Sequence, residues 1–196
     1  MNQTINPQHK RMTTQRMVID AVLIAIYVVL RFFNIQLGNS FRFTLAPFSV
    51  ILCAVLYGPL DGLIVGLVGE FLSQILGPFG LTVTTPLWCI GETVRGVVLG
   101  LCSMLFFKKK LPSIHRKKME TKYFVIMLIC CVLTGVLAAL GQTLALYVDS
   151  TLMGYYNYTM VFGVMIWRIL VYILFSGLFG WLSVPIIYAL KKEKLA

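Results

Sequence analysis

Residues 17–33 read MVIDAVLIAIYVVLRFF, an apolar run in which two alanines stand four residues apart. On a helix Ala21 and Ala25 share one face. Small residues let a second helix approach closely, which is how helices associate in lipid, where apolar burial gives no driving force. The run therefore predicts a membrane helix with a flat face for another helix, although such pairs are also common in ordinary membrane helices.

The composition around this run is that of an integral membrane protein. Of the 196 residues, 59% are hydrophobic and 12% are charged, and the mean hydropathy is +0.86. A soluble domain of this size carries about a quarter charged residues. Since a spanning helix needs about 20 mostly apolar residues, the chain has room for five to seven spans and for no second, soluble domain.

The positions of the charges explain the net charge of +10. Basic residues gather at 10–16, 108–122 and 191–194, next to apolar segments, as the positive-inside rule expects of cytoplasmic ends. This distribution argues against a nucleic-acid surface. The five cysteines lie in apolar stretches without metal-ligand spacing, so we expect reduced core residues and no cofactor or metal.

Apolar stretches and turn residues predict an all-α membrane protein with six transmembrane helices. They divide the chain into a cytoplasmic N-terminal segment (1–16), one six-helix membrane domain (17–190) and a cytoplasmic tail (191–196). No small-residue cleavage site follows the first run, which we interpret as a retained helix. The predicted helices are 17–33, 43–57, 63–76, 86–107, 123–148 and 160–190.

Six spans with the N-terminus inside place all three basic clusters on the cytoplasmic side. An odd number of spans would leave one cluster outside. The loops 34–42, 77–86 and 149–159 then face outward. Helices 2 and 3 are short for a hydrocarbon core of about 30 Å, so we expect neighbours to shelter them or their ends to extend.

Polar residues within the spans are functional candidates, because a charge in the membrane costs several kcal/mol. On helix 3, Glu70, Ser73, Gln74 and Gly77 form one stripe, and Gly62, Gly66 and Gly69 suit close packing or a narrow cavity. The outer halves of the other helices carry Trp88, Glu92 and Arg95 on helix 4, Gln142 on helix 5, and Arg168 and Tyr172 on helix 6, with Ser176 one turn deeper.

Two interpretations of this polar set remain open. The first is an outward-facing cavity for a planar, polar small molecule, with Trp88, Tyr147 and Tyr158 as stacking aromatics. The second is structural and pairs Glu92 with Arg95 and Glu70 with Arg168 to hold the helices together. Arg31 and Arg42 lie near the predicted mouth and suit lipid headgroups, although an anionic solute would also be attracted there.

Catalytic signals are weak. Both histidines, His9 and His115, fall in the predicted cytoplasmic tail and loop, and no GxxxxGK[ST] phosphate-binding loop occurs. An intramembrane enzyme is therefore the third interpretation, and we expect neither enzyme activity nor ATPase activity of the chain's own.

With these features in place, the chain resembles the substrate-binding (S) component of energy-coupling factor (ECF) vitamin transporters. The resemblance covers about residues 17–190 and rests on the helix 1 alanines, on the polar outer half, and on residues 41–47 (FRFTLAP) and 57–62 (YGPLDG). These two runs are similar to the helix 2–helix 3 region of this family, and the folate-type branch is the most similar one. Residues 78–86 (PFGLTVTTP) depart from that branch.

The resemblance implies a multi-pass protein of a prokaryotic cell membrane that binds a vitamin from outside. It implies docking by the Ala21 and Ala25 face on a transmembrane coupling (T) protein, and two ATPase subunits that drive release inside. Folate is the first expected substrate, with pantothenate or pyridoxine as alternatives. The site expected from the residues comprises Arg42, Glu70, Gln74, Trp88, Glu92, Arg95, Gln142, Tyr147, Tyr158, Arg168 and Tyr172, with Arg168 binding a carboxylate through two hydrogen bonds.

Overall fold

The computed structural model describes residues 14–36, 42–77, 80–107 and 121–192. The residues outside these ranges include most of the predicted basic loop, both chain ends and parts of the predicted outer loops 34–42 and 77–86. The elements are α1 Thr14–Phe32, β1 Asn34–Gln36, β2 Arg42–Thr44, α2 Pro47–Tyr57, α3 Pro59–Ile75, α4 Thr85–Phe107, α5 Thr121–Leu152, a π-helical turn Thr159–Gly163, and α6 Met165–Lys192.

Three helical stretches among the described residues are long and apolar enough to cross a membrane. They are Thr85–Phe106, Phe124–Leu152 and Thr159–Ile187. The helix Pro47–Tyr57 is also apolar but has only 11 residues. These lengths and compositions fit the membrane class that the sequence predicts.

Successive long helices run antiparallel. Gly62 faces Gly96 between α3 and α4, and Thr143 lies beside Arg168 between α5 and α6. We call the end of the bundle where α1, α3 and α5 finish and α2, α4 and α6 begin the hairpin end, because the β1–β2 hairpin lies there. The sequence predicts that this end faces outward.

Glycines bring the backbones of α3 and α4 into contact. A Cβ atom on Gly96 would lie 2.2 Å from the carbonyl oxygen of Gly62, and one on Gly66 would lie 2.7 Å from that of Glu92. On Gly100 it would lie 2.4 Å from the backbone of Pro59. No side chain fits at such distances, so of the two expected roles of these glycines the structure shows close packing.

The short helix α2 occupies the centre of the bundle. Pro47 and all residues from 49 to 55 are buried, and α2 packs against α1, α3, α4 and α6. Ile51, Ala54 and Val55 join one apolar cluster with α4, α5 and α6, while Val50 and Leu52 join another with α1 and α3. The expectation that neighbours shelter helix 2 is confirmed.

The first loop differs from its prediction. Residues 34–36 and 42–44 pair as antiparallel strands, with Ile35 opposite Phe43, where the sequence predicted a loop and then the start of helix 2 at residue 43. Over the residues that the structure describes, the fold is therefore helical with one small hairpin. Helix 2 begins at Pro47, because proline suits the first helical position, where its missing N–H costs no hydrogen bond.

Two further helix boundaries lie four residues from their predicted positions. Helix 3 begins at Pro59, not at residue 63, because only Gly58 breaks the chain there (φ +109°) and Asp61 suits the first turn of a helix. The fifth helix continues to Leu152, four residues past its predicted end, and Gly154 follows with φ +77°. The hydroxyls of Ser150 and Thr151 bond the carbonyl of Tyr147, so these polar residues remain helical.

Candidate functional site

A layer of polar side chains crosses the half of the bundle nearest the hairpin end. Each described α-helix except α2 contributes to it, so it lies between helices instead of along one helix. Its members are Tyr27 and Arg31 of α1, Glu70 and Gln74 of α3, Glu92 and Arg95 of α4, Gln142 and Thr143 of α5, and Arg168 and Tyr172 of α6.

Glu70 is the most connected member of this layer. Its Oε2 accepts from the hydroxyl of Tyr27 at 2.5 Å, and its Oε1 accepts from Arg31 at 2.9 Å and from Gln74 at 2.8 Å. The expected pair of Glu70 with Arg168 is therefore wrong, since Arg31 supplies the cation. Arg31 is partly buried and also donates to the hydroxyl of Thr44 at 3.4 Å. Its guanidinium therefore contacts other residues of the bundle, whereas the sequence suggested a lipid-headgroup anchor.

A glycine explains why α1 can approach α3 at this point. A Cβ atom on Gly69 would lie 2.8 Å from the ring of Tyr27, so the ring lies directly on the α3 backbone. Tyr27 is fully buried, and Arg31 follows it four residues later on the same face of α1. The packing of one aromatic ring thus directs both a hydroxyl and a guanidinium towards Glu70.

Glu92 and Arg95 form the expected ion pair within α4. Nη1 of Arg95 lies 3.4 Å from Oε2 of Glu92, and both residues are only 1% exposed. This contact lacks hydrogen-bond geometry, and in the described part of the chain neither the buried Glu92 Oε2 nor the buried Arg95 Nε has a hydrogen-bond partner. The ring of Tyr172 lies 5.3 Å from the guanidinium carbon of Arg95 as a cation–π contact.

Arg168 differs from the other arginines of the layer. It is 5% exposed, and its Nη1 donates to the hydroxyl of Thr143 at 3.0 Å. Within the described ranges no carboxylate lies within 4 Å of its guanidinium nitrogens. Nearby, the hydroxyl of Tyr172 donates to the amide oxygen of Gln142. The cation of Arg168 is thus bonded only to a neutral oxygen among these residues.

A small cavity opens beside this layer. Its volume is about 20 Å³, enough for a water molecule. Pockets for drug-sized ligands measure about 300–1,000 Å³, so a vitamin requires the lining side chains to move apart. The cavity is lined by Arg31, Thr44, Pro47, Arg95, Tyr172, Phe175, Ser176 and Phe179.

The predicted stacking aromatics lie apart from this cavity. Tyr147 packs against Tyr156 and Phe162, with ring centroids 5.6 and 6.0 Å apart. Tyr158 also contacts Phe162 and is 69% exposed. Trp88 is half-buried one turn into α4. Tyr147 and Tyr158 therefore belong to an aromatic cluster on the surface of the hairpin end.

Hydrogen bonds to the carboxylate of Asp149 connect the segment before α4 to α5 at the hairpin end. Asp149 accepts from the hydroxyls of Thr84 and Tyr155. Burial, together with the hydrogen bond to Asp149, raises the pKa of Tyr155 to about 12, so its hydroxyl remains a donor at physiological pH.

The predicted site residue Arg42 lies in β2, where its backbone pairs with Gln36.

A second polar cluster lies near the opposite end of α1. Arg16 pairs with Asp61 at 3.4 Å and bonds the carbonyl of Tyr57 at 3.1 Å. Asp20 is 3% exposed and accepts from the thiol of Cys53 at 3.5 Å. These contacts connect α1 to α2 and α3.

Ala21 and Ala25 lie on the exposed side of α1, opposite the buried Asp20, Leu23 and Tyr27. The helix thus has a polar inner face and an apolar outer face. The alanines share the outer face with the exposed side chains of Met17, Val18, Val22, Ile26 and Val29.

Sequence analysis missed Tyr27 and Thr143 as members of the polar layer and gave Arg31 the wrong environment. The sequence did contain a pattern that could have identified the polar face of α1. Asp20, Tyr27 and Arg31 are spaced by seven and then four residues, so they share a helix face away from the alanines. Thr143 follows the predicted Gln142 directly and carried no such signal.

Comparison with known proteins adds one match across most of the chain. The sequence profile of the family described as "ECF transporter, substrate-specific component" matches residues 15–193. A UPF0397 protein of Aliivibrio fischeri is 29% identical over 86 residues, which are 43% of this chain and 45% of that protein. UPF0397 proteins of Aliivibrio salmonicida (30% over 77 residues, 38% and 40%) and Vibrio atlanticus (33% over 64 residues, 32% and 34%) are also similar. The matched stretch spans less than half of each relative's length.

Proposed function

This chain belongs to the family of ECF transporter substrate-specific components, and we propose that it captures a vitamin from outside the cell. Members of the family are membrane transport subunits and not enzymes. We propose folate as the first candidate substrate, with pantothenate and pyridoxine as alternatives. In this proposal six spans cross the cell membrane, both termini lie inside, and the hairpin end opens outward.

The environment of Arg168 carries this proposal. A buried, uncompensated cation is costly, because a charge loses its hydration without gaining a partner of opposite sign. Thr143 satisfies one N–H of a group that has five donors. A carboxylate with bidentate hydrogen bonds would satisfy two more and neutralise the charge. Folate and pantothenate both carry a carboxylate.

The first experiment asks whether the purified protein binds a vitamin. Native mass spectrometry of detergent-purified protein, followed by calorimetric titration with folic acid, pantothenate and pyridoxine, measures retention and affinity. We expect one of these compounds to bind tightly. Absence of binding to all three compounds would contradict these substrate candidates, and absence of binding to a wider vitamin panel would contradict vitamin capture itself.

Arg168→Ala tests the proposed carboxylate partner. We expect ligand affinity to fall by about 1.5 kcal/mol or more, because the variant loses charge-assisted hydrogen bonds. Arg16→Ala is the matched control, since Arg16 pairs with Asp61 at the far end of α1, about 22 Å along the axis from Arg31. Reduced yield of Arg168→Ala with unchanged affinity in the folded fraction would instead assign Arg168 a structural role.

A structural membrane protein without a ligand is the second candidate. The pairs Glu70–Arg31 and Glu92–Arg95 favour it, because each joins opposite charges inside the bundle. Buried ion pairs alone are weak evidence for stability, since their desolvation offsets much of the attraction. Arg168 pairs with no carboxylate among the described residues. A purely structural role does not account for this cation, so ligand binding is the better supported proposal.

We further propose that the exposed face of α1 docks on the transmembrane coupling protein, which acts with two ATPase subunits. Ala21 and Ala25 make the middle of this face shallow, and small residues allow two helix backbones to pack closely in lipid. The larger exposed side chains around the alanines would pack on the partner's flanks.

Ala21→Trp and Ala25→Trp test the docking proposal. We expect both variants to lose co-purification with the coupling protein, because an indole holds the helices apart, while vitamin affinity of the isolated subunit stays unchanged. Leu174→Trp is the control, since Leu174 is 70% exposed on α6 and away from this face. Co-purification of both alanine variants at the control level would refute the docking role.

A further inference from the structure

The strongest feature that the proposed function leaves unused is the pair of unsatisfied atoms on α4. Among the described residues, Glu92 Oε2 is a buried acceptor without a donor, and Arg95 Nε is a buried donor without an acceptor. Leaving such groups unpaired is costly, and more so for charged groups. Both belong to side chains three residues apart on one helix, with Oε2 only 3.4 Å from Nη1 of the same guanidinium.

The two side chains are held in place from several sides. The Glu92 backbone lies against Gly66, since a Cβ atom on Gly66 would be 2.7 Å from the carbonyl oxygen of Glu92. The ring of Tyr172 covers the Arg95 guanidinium, and Arg95 lines the cavity together with Tyr172. A fixed helix backbone and a stacked ring keep the two side chains in place, with Arg95 in the wall of the cavity and Glu92 beside Arg95, so a ligand that widens this cavity would meet Arg95 first.

We propose that Glu92 and Arg95 together recognise a ring lactam or cyclic ureide, in which an N–H and a C=O stand side by side. The ligand N–H donates to Glu92 Oε2, and its carbonyl oxygen accepts from Arg95 Nε. This inference rests on the proposed vitamin-binding function and specifies the substrate class of that site. The cis amide of a ring presents both groups on one edge, whereas an open-chain trans amide points them in opposite directions.

This pairing separates the candidate vitamins by chemistry. The pterin ring of folic acid contains such a lactam edge, as do the flavin ring of riboflavin and the ureide ring of biotin. Pyridoxine has no amide, and pantothenate has only an open-chain amide. Sites whose buried groups hydrogen-bond a substrate reject analogues that lack the matching groups by about 10⁴–10⁵-fold, because the site is then left unpaired.

The test titrates the purified full chain with folic acid, riboflavin and biotin and with pyridoxine and pantothenate. We expect the bound compound to be one of the three lactam or ureide compounds, with an affinity at least about a hundredfold above that of either other compound. Tight binding of pyridoxine or pantothenate overturns this inference but leaves the vitamin-binding proposal intact. Absence of binding to all five overturns both.

A double variant, Glu92→Leu with Arg95→Leu, then tests the two residues. It removes both charges together, and replacing a buried ion pair by apolar residues is often neutral for stability. We expect the affinity for the bound lactam compound to fall at least tenfold while the melting temperature stays near that of the unaltered protein. Affinity within threefold of the unaltered protein would overturn the inference and make the pair a structural one. If the double variant does not fold, Arg95→Lys replaces it, because this variant keeps the charge but lacks Nε. An affinity loss of at least tenfold then supports the inference, and an affinity within threefold of the unaltered protein overturns it.

Discussion

Tyr27 supplies the hydroxyl that bonds Glu70 Oε2, while Arg31 and Gln74 both bond the other oxygen of that carboxylate. The ring itself rests on Gly69. The hydroxyl and the ring therefore have separable roles, the first in satisfying a buried charge and the second in packing α1 against α3.

Tyr27→Phe should lower the free energy of unfolding by about 1–3 kcal/mol, because one buried carboxylate oxygen loses its donor while the packing volume is kept. Thermal or denaturant unfolding in detergent measures this loss. Tyr158→Phe is the control, since Tyr158 is 69% exposed and its hydroxyl can bond water or headgroups. Equal stability of the two variants would mean that water or Arg31 replaces the lost donor.

Sequence spacing predicted most residues of the polar layer but only one of its two carboxylate partners. Glu92 and Arg95 stand three apart on one helix, so local geometry alone brings them together. The partner of Glu70 lies 39 residues away on another helix, and its choice depends on how α1 packs on Gly69. Spacing along one helix contains no information about such packing.

At the scale of elements, the contact between α3 and α4 depends on glycines on both helices. The shortest distance is at Gly96, whose added Cβ would lie 2.2 Å from a backbone oxygen of Gly62. Backbone atoms cannot move aside as a flexible side chain can. Even one methyl group at this position must separate the helices.

Gly96→Ala should therefore destabilise the bundle by about 1–3 kcal/mol or prevent folding, as overpacking of tight interfaces does. Unfolding curves or yields of monodisperse protein measure the effect. Gly177→Ala is the matched control within α6, where the nearest atom to an added Cβ is 3.9 Å away. Alanine favours helix over glycine, so the control should be neutral or slightly more stable. Equal behaviour of both variants would contradict the glycine contact.

The lengths of the apolar stretches predicted which segments form helices, but they did not predict several of the residues at which the helices begin or end. The end of α5 was missed because Ser150 and Thr151 read as loop residues in sequence but bond back to Tyr147 within the helix. The β1–β2 hairpin was missed because each strand has only three residues, too few for an alternating pattern to stand out.

For the whole molecule, the proposed six-span orientation predicts a specific labelling pattern. We expect Asn157→Cys, in the exposed segment before the π-helical turn, to react with a membrane-impermeant maleimide in intact cells. Ser113→Cys, in the basic run 108–122, should react only after permeabilisation, because the positive-inside rule places that run in the cytoplasm.

The native cysteines give a low background in this experiment, since four are buried and Cys102 is half-buried. The unaltered protein serves as the control for that background. Labelling of both new cysteines in intact cells, or of Ser113→Cys alone, would contradict the proposed orientation.

The two faces of α1 have a thermodynamic consequence. Arg31 lines the cavity and Tyr27 bonds Glu70 on one side, while Ala21 and Ala25 lie on the other side of the same continuous helix. If a vitamin that enters the cavity shifts this helix, the subunit's affinity for its coupling protein changes with it. Linkage is reciprocal, so the docked partner must then alter vitamin affinity by the same factor and in the same direction. A subunit whose partner weakens its hold on the vitamin is, by that equality, one that docks more readily when empty.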